Sequence, residues 1–339
     1  GNSDVCMVWK VVSMNLEIIG IGSALVDITV QVDDSFLESE NLPKGGMTLV
    51  DAARSKELLD KLANYSKELS PGGATANVMA SFAHCGGKAG FIGKVGNDEM
   101  GNYFRTETEK AGATFLQLIS KDTPTGTGLT LVTPDGQRTF ATHLGAAVEL
   151  NPTELPAEIL NQAPTIHVEA YLVFNRELID YILDTAKANG QKVSMDLSSF
   201  GVVQENLEYL DRISASHLDI VFANEDECHA FTGLCPTDSL EVFSSICEIA
   251  VVKEGEKGSH IAKGDQKISI AAERICVIDT NGAGDAYAGA VLYGLSKGLH
   301  IESCGRIGTK AGALAVSQRG ARLTEDSAQL LREFASKIR

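Results

Sequence analysis

From Thr165 to Gly255, short apolar runs alternate with stretches of helical spacing, and this alternation restricts the fold more than any other property of the sequence. "TIHVEA" (165–170), "KVSMDLS" (192–198), "DIVFANEDE" (219–227) and "EIAVVKEG" (248–255) each open with a run characteristic of a buried strand. Between the first two, Leu178, Ile179, Ile182, Leu183 and Ala186 recur at helical spacing, and Gly190 closes that helix. Parallel strands cannot be joined by tight hairpins, so the repeating strand–helix pattern predicts a parallel sheet covered by helices on both faces. "LEIIGIG" (16–22) adds one more buried strand, and "ARSKELLDKLANYSKEL" (53–69) returns to helical spacing.

Other segments follow a period of two. "TGLTLVTPDGQRTFATHL" (127–144) predicts a hairpin, in which Pro134 fixes φ and Gly136 permits a positive φ at the turn. "TVQVDD" and "GGMTLVD" form a second group of half-exposed strands. The expectation is one α/β core built from 16–27, 51–114 and 148–339. A small β lid from 28–50 and 115–147 would cover a cleft in it, and residues 1–15 would form an extension ahead of the fold.

Composition narrows the function classes. The 339 residues carry a formal charge of −16, which argues against nucleic acid and anionic membrane as partners. No apolar run reaches the ~18 residues of a spanning helix, and the first residues lack the basic region and cleavage site of a signal peptide. Seven scattered cysteines without a C-x-x-C pair read as reduced thiols in a cytoplasmic protein. None of the seven histidines has metal-ligand spacing.

The chemistry concentrates in "DTNGAGDAYAGA" (279–290). "RICVID" (274–279) reads as a strand stopping at Asp279, and Ala288, Val291, Leu292 and Leu295 form a helical stripe after it. The glycine turn would then lie between a strand's carboxyl end and a helix N-terminus, where open α/β sheets bind ligands. Gly282, Ala283 and Gly284 would present unhindered amides to an anion at the positive end of the helix dipole. Asp285 beside them could be a helix cap or a base for an attacking hydroxyl.

"DTNGAGDAYAGAV" resembles the second signature of the PfkB/ribokinase family of carbohydrate and nucleoside kinases, and "PGGATANVMASFAHCGGKAGFIGKVGNDEMG" (71–101) resembles the first. The resemblance extends from Leu16 to about Leu323 and implies a ribokinase-like α/β fold, with a central mostly parallel sheet flanked by helices and a small inserted β-sheet lid. It implies that Asp285 is the catalytic base, that Gly282, Ala283 and Gly284 hold the γ-phosphate of ATP, and that Asp279 lines a monovalent-cation (K⁺) site. Asn224 and Glu227 match the family's NxxE motif, which organises Mg²⁺ through water; an Asn-capped helix would look the same. Asp27, Gly72, Gly73 and Asn77 would contact the sugar, although a solvated aspartate and a glycine-spaced helix start fit those residues equally. Glu169 falls where ribokinases carry a substrate-side glutamate. Arg138 could reach from the hairpin to the phosphates, as a lid arginine does in adenosine kinases. Gly255, Gly258, Asn281 and Gly320 fall on the nucleotide side. A homodimer through the lid is the expected protein partner.

Two other classes weigh less. "GIGSAL" opens like a dinucleotide fingerprint, but Leu25 stands where its third glycine is required. A sugar sensor on the same scaffold would have no use for Asp285. The reading is an ATP- and Mg²⁺-dependent kinase acting on a primary hydroxyl of a sugar. The alternative is adenosine or another nucleoside, to which Asn281 and "PTGT" (124–127) point.

Overall fold

A computed structural model describes residues 13–339. Expectations for residues 1–12 lie outside the described residues. Along the chain run strands β1 (Ile18–Ile21), β2 (Leu25–Gln31), β3 (Met47–Leu49), β4 (Lys67–Gly72), β5 (Ala89–Gly96), β6 (Thr114–Ser120) and β7 (Gly126–Val132). They continue as β8 (Arg138–His143), β9 (Thr165–Glu169), β10 (Lys192–Asp196), β11 (Ile220–Asn224), β12 (Ile249–Lys253), β13 (Ser259–Lys263) and β14 (Gln266–Ile270). Nine of them form one sheet in the order β14-β13-β12-β11-β10-β9-β1-β5-β6. Every pairing from β12 to β6 is parallel, and β13 and β14 add an antiparallel edge.

Side-chain alternation splits the large sheet's contacts between two cores. Val193, Met195, Val221 and Ala223 pack against Leu178, Ile182, Leu183 and Leu210 on one face. Ile220, Phe222 and Val251 pack against Phe82, Tyr287, Val291 and their neighbours on the other. Strands apolar on both sides thus fill two helix layers, which is the reason their sequence lacks polar alternation.

The second sheet has the order β3-β8-β7-β2-β4. In β2 the alternating Val26, Ile28 and Val30 are buried, placing Asp27 on the opposite face. The hairpin forms as expected, with Gly136 at φ 81° between β7 and β8.

The structure differs from the sequence expectation at four places. The helix read over 53–69 ends at Lys61, and Lys67–Gly72 pairs with β2 in the second sheet. Thr114–Ser120, read as lid from 115 onward, is the edge strand of the large sheet beside β5. Asp27 lies inside β2 rather than at the end of the first strand, which stops at Ile21. "RICVID" forms no strand: Val277 and Ile278 are 59% and 57% exposed, and the amides of Ile278 and Asp279 donate to the Val316 carbonyl instead.

Helices Ala74–His84 and Ala283–Ser296, some 200 residues apart in sequence, pack with almost no room between them. A Cβ on Gly289 would lie 2.3 Å from the Val78 carbonyl oxygen and 2.6 Å from Ser81 Cβ. Gly289→Ala therefore gains helix propensity of about 1 kcal/mol but forces backbone apart, at a cost of roughly 1–3 kcal/mol. The expected result is a lower urea midpoint at unchanged m-value; a midpoint at or above wild type would show that the two helices separate freely.

Candidate active site

Four adjacent strands end in polar residues at the carboxyl edge of the large sheet. Asp196 lies beside Glu169, and Lys253 beside Asn224. A parallel sheet with helices on both faces is open to ligands at this edge. Lys253 Nζ is 2.9 Å from Asp196 Oδ2, and only 3.3 Å from where a side chain on Gly284 would begin. The ammonium thus rests against the first turn of helix Ala283–Ser296. Burial works against its charge, but Asp196 and Glu227 outweigh this and raise its pKa.

That helix starts at Gly282, which is left-handed at φ 73° and sits so close to Ala321 that any Cβ would be 2.6 Å from its backbone. Only glycine meets both conditions. The Ala283 amide donates back to Thr280 O at 3.3 Å. No side chain among the described residues caps the helix, so Asp285 is not a cap. Its Oδ2 instead accepts from Asn77 Nδ2 at 3.2 Å. Burial, then the like charge of Asp196, pushes its carboxyl up to about 7, against the pull of Lys253 and Asn77.

Asp27 projects from the second sheet between two glycines. A Cβ on Gly72 or Gly128 would lie 2.5 Å or 2.7 Å from its carboxylate oxygens. Burial raises Asp27 to about 6, opposed by Arg322. Gly73, at φ 93°, has its Cβ position 2.1 Å from Ser23 O, so the turn into helix Ala74–His84 requires glycine.

Other expected residues have their polar groups committed. Glu169 is 1% exposed, with its carboxylate accepting from Ser23 N, Thr75 N and Thr75 Oγ1. It binds the β1–β2 loop to the first turn of helix Ala74–His84. Asn224 and Glu227 form a reciprocal capping box, Asn224 Oδ1 accepting from Glu227 N and Glu227 Oε2 from Asn224 N. Glu227 is 3% exposed and pushed up to about 7 by burial and by Asp196.

Asp279 ties the glycine turn to its surroundings. Its Oδ1 accepts from Asn281 N and, at 3.3 Å, from Arg138 Nη2 of the lid hairpin; its Oδ2 accepts from Gly320 N. Donors thus face both carboxylate oxygens. Gly255 and Gly258, at φ 55° and 107°, shape the turn from β12 to β13 just beyond Lys253.

Three residues at this edge escaped the sequence reading. Asp196 and Lys253 stand where an apolar strand ends in a charge, in "VSMD" and "AVVK". Arg322 lies one residue past the "SQRGA" segment and reaches Asn77, with Nε donating to Asn77 Oδ1 at 3.1 Å.

The raised carboxyl of Asp285 has a consequence for stability. A folded-state pKa near 7 against 3.8 when exposed means that the folded chain holds its proton more tightly. Stability from this group is therefore lost as pH rises from about 4 to 7. Asp285→Asn is expected to melt at or above the wild-type temperature at pH 8, with the difference vanishing below pH 4. A lower melting temperature at pH 8 would overturn this account of the carboxyl.

Comparison with known proteins agrees with the geometry. The model of the pfkB family carbohydrate kinases matches residues 40–328. Adenosine kinase of Saccharomyces cerevisiae is 26% identical over 330 residues, which cover 91% of this chain and 96% of that protein. A solved structure described as a probable sugar kinase from Rhizobium etli superposes with a TM-score of 0.84 at 30% identity, covering 94% of this chain and 98% of the other. Adenosine kinase from Sinorhizobium meliloti superposes with a TM-score of 0.83 at 31% identity, covering 94% and 99%. The fold is ribokinase-like, and the chain belongs to the pfkB family of carbohydrate and nucleoside kinases, phosphotransferases with an alcohol group as acceptor.

Proposed function

We propose that the chain transfers the γ-phosphoryl group of ATP to a primary hydroxyl of a sugar, with Asp285 as the base. The observation that carries this reading is the position of Asp285: its half-buried carboxylate stands in the first turn of a helix, beside Lys253. Phosphoryl transfer asks chiefly for positioning and for positive charge around the moving group. Gly282, Gly284 and Ala283 offer the helix's N-terminal end, where backbone amides lack helical acceptors. The Lys253 ammonium adds a full charge at Gly284. Asp27, for which no donor among the described residues comes within hydrogen-bond reach, accepts from the acceptor's hydroxyls, and Asn77 donates. Gly72 and Gly73 let the backbone approach. Gly255, Gly258, Asn281 and Gly320 flank the nucleotide, and the lid sheet excludes water that would otherwise take the phosphoryl group.

Mg²⁺ fits the donor set, since it favours few carboxylates completed by phosphate oxygens and water. Glu227 would hold it through water beside Asp196, and when bound it neutralises phosphate charge. A monovalent cation does not fit at Asp279, whose oxygens face Arg138 and two backbone amides. Arg138 is engaged with that aspartate, and it reaches the phosphates only by releasing it.

A nucleoside acceptor is the second reading. Tyr171, Phe174 and Phe200 are 45%, 62% and 54% exposed just beyond β9 and β10, and such rings suit stacking on a base. Reduced thiols support a cytoplasmic setting, all six described cysteines being free. Among the described residues no helix is long and apolar enough to cross a membrane. Met47 and Leu49, each 61% exposed on the lid's edge strand, are the surface through which two copies would pair.

ADP release measured with ribose, fructose, 2-keto-3-deoxygluconate, adenosine and other nucleosides decides the acceptor. Asp285→Asn should lower kcat on the best substrate about 10²–10⁴-fold, and wild-type kcat/KM should rise with pH through about 7 as Asp285 loses its proton. Turnover unchanged in Asp285→Asn would end the base assignment. Lys253→Met should lower kcat about 10²-fold with little change in the acceptor's KM; a kcat within twofold of wild type would remove Lys253 from the reaction.

A further inference from the structure

Arg322 lies behind the site, and the groups it touches among the described residues are neutral. Its Nε donates to Asn77 Oδ1 at 3.1 Å and its Nη1 to Thr108 Oγ1 at 3.0 Å, with the guanidinium 5.4 Å from the centre of the Phe104 ring. No carboxylate among the described residues pairs with it, and its buried Nη2 has no hydrogen-bond partner. Such a group is expensive to keep. Burying a charge without a counter-ion and leaving a donor unsatisfied both work against folding.

A guanidinium can only donate. Arg322 therefore forces the amide oxygen of Asn77 toward itself, and the Asn77 NH₂ group is left facing Asp285, where Nδ2 donates to Oδ2 at 3.2 Å. A flipped amide would point its NH₂ group at the Arg322 donors and its oxygen at the Asp285 carboxylate, repelling on both sides. Donation thus runs in one direction from Arg322 through Asn77 to Asp285, while Arg322 donates on its other side to Thr108 Oγ1.

We propose that Arg322 is a positioning residue for phosphoryl transfer, fixing the amide of Asn77 so that it binds Asp285 in its ionised form and offers the acceptor only its second N–H. This rests on Asp285 being the base. Two consequences follow for the site. Asp285 Oδ2 is occupied by Asn77, leaving Oδ1 to take the hydroxyl proton. Asn77 meets the acceptor as a donor and Asp27 meets it as an acceptor of hydrogen bonds, so the preferred compound presents a hydroxyl donor to one and an oxygen lone pair to the other.

The charges around the pair are mixed. Asp285 faces Asp196 from β10, Lys253 from β12, Glu169 from β9 and Asn77 from helix Ala74–His84. Arg322 faces Glu107 and Tyr103 from helix Glu99–Lys110 and Asp27 from β2, as well as Asp285. It also acts on His84 of helix Ala74–His84. Of Lys253 and Arg322, Arg322 alone bonds the amide of Asn77 and sets its direction.

Arg322→Met and Arg322→Lys, assayed beside Asp285→Asn, test the proposal. Arg322→Met should melt no lower than wild type, because a flexible apolar chain replaces an unpaired buried charge. It should lose about 10–100-fold in kcat/KM, with the acid limb of the pH profile displaced upward by about one unit. Arg322→Lys, which keeps charge and a single donor, should recover part of the rate and part of the displacement. A wild-type pH profile in both variants, with Asp285→Asn inactive, overturns the positioning role and leaves the base assignment standing. A lowered melting temperature with an undisplaced profile shows a structural role only and overturns it as well. Activity retained in Asp285→Asn removes the base, and the proposal with it.

Discussion

The close approach of two helices at Gly289 sets the positions of Asn77 and Asp285 relative to one another. Helix Ala74–His84 carries Asn77 one turn from its start, and helix Ala283–Ser296 carries Asp285 in its first turn. Their hydrogen bond requires the helices to pass almost in backbone contact, which Gly289 allows and which Ser81 Oγ reinforces by donating to Ala286 O at 2.6 Å. Packed interiors transmit displacement rather than absorb it. An extra methyl at this crossing would therefore separate the carboxylate from the amide that orients it.

Charge at the carboxyl edge is the second constraint. Asp196, Glu227 and Asp285 converge on one ammonium, Lys253, in a protein whose formal charge is −16. Burial first, and then the neighbouring carboxylates, raises the proton affinity of Asp285 and Glu227, and Lys253 limits that rise. A phosphate entering such a site would be repelled by the protein as a whole, so the favourable field has to be local. The helix N-terminus and Lys253 supply it locally, where exclusion of water makes each charge count for more.

Much of this was legible in the sequence because local and global preferences agree there. The β9–β12 strands are apolar on both sides since both faces are covered, and the glycines at 73, 136 and 282 sit where φ is positive. The misreadings occur where a pattern has more than one cause. Val277 and Ile278 look like strand residues, yet they lie exposed on a segment bonded to Val316. Lys67–Gly72 continues the helical spacing before it, but pairing with β2 overrides local propensity. The bonds that bury Glu169 behind Ser23 and Thr75 were not legible, because they depend on how distant segments meet. Arg322 was invisible for the same reason, since its partners are 214 and 245 residues away.

The lid adds a further coupling through Arg138. Its pair with Asp279 spans 3.3 Å, and the Arg138 side chain is 43% exposed while that of Asp279 is only 11% exposed. A pair so open to solvent contributes at most about 1 kcal/mol, too little to hold the lid shut against substrate exchange. Its effect falls on the turn instead. The same Asp279 oxygen that meets Arg138 also fixes Asn281 N, two residues before Ala283 opens the helix. Movement of the lid hairpin is thereby linked to the turn from which the amides and Asp285 emerge. The linkage is weak, yet it falls on the same carboxylate that anchors Gly320.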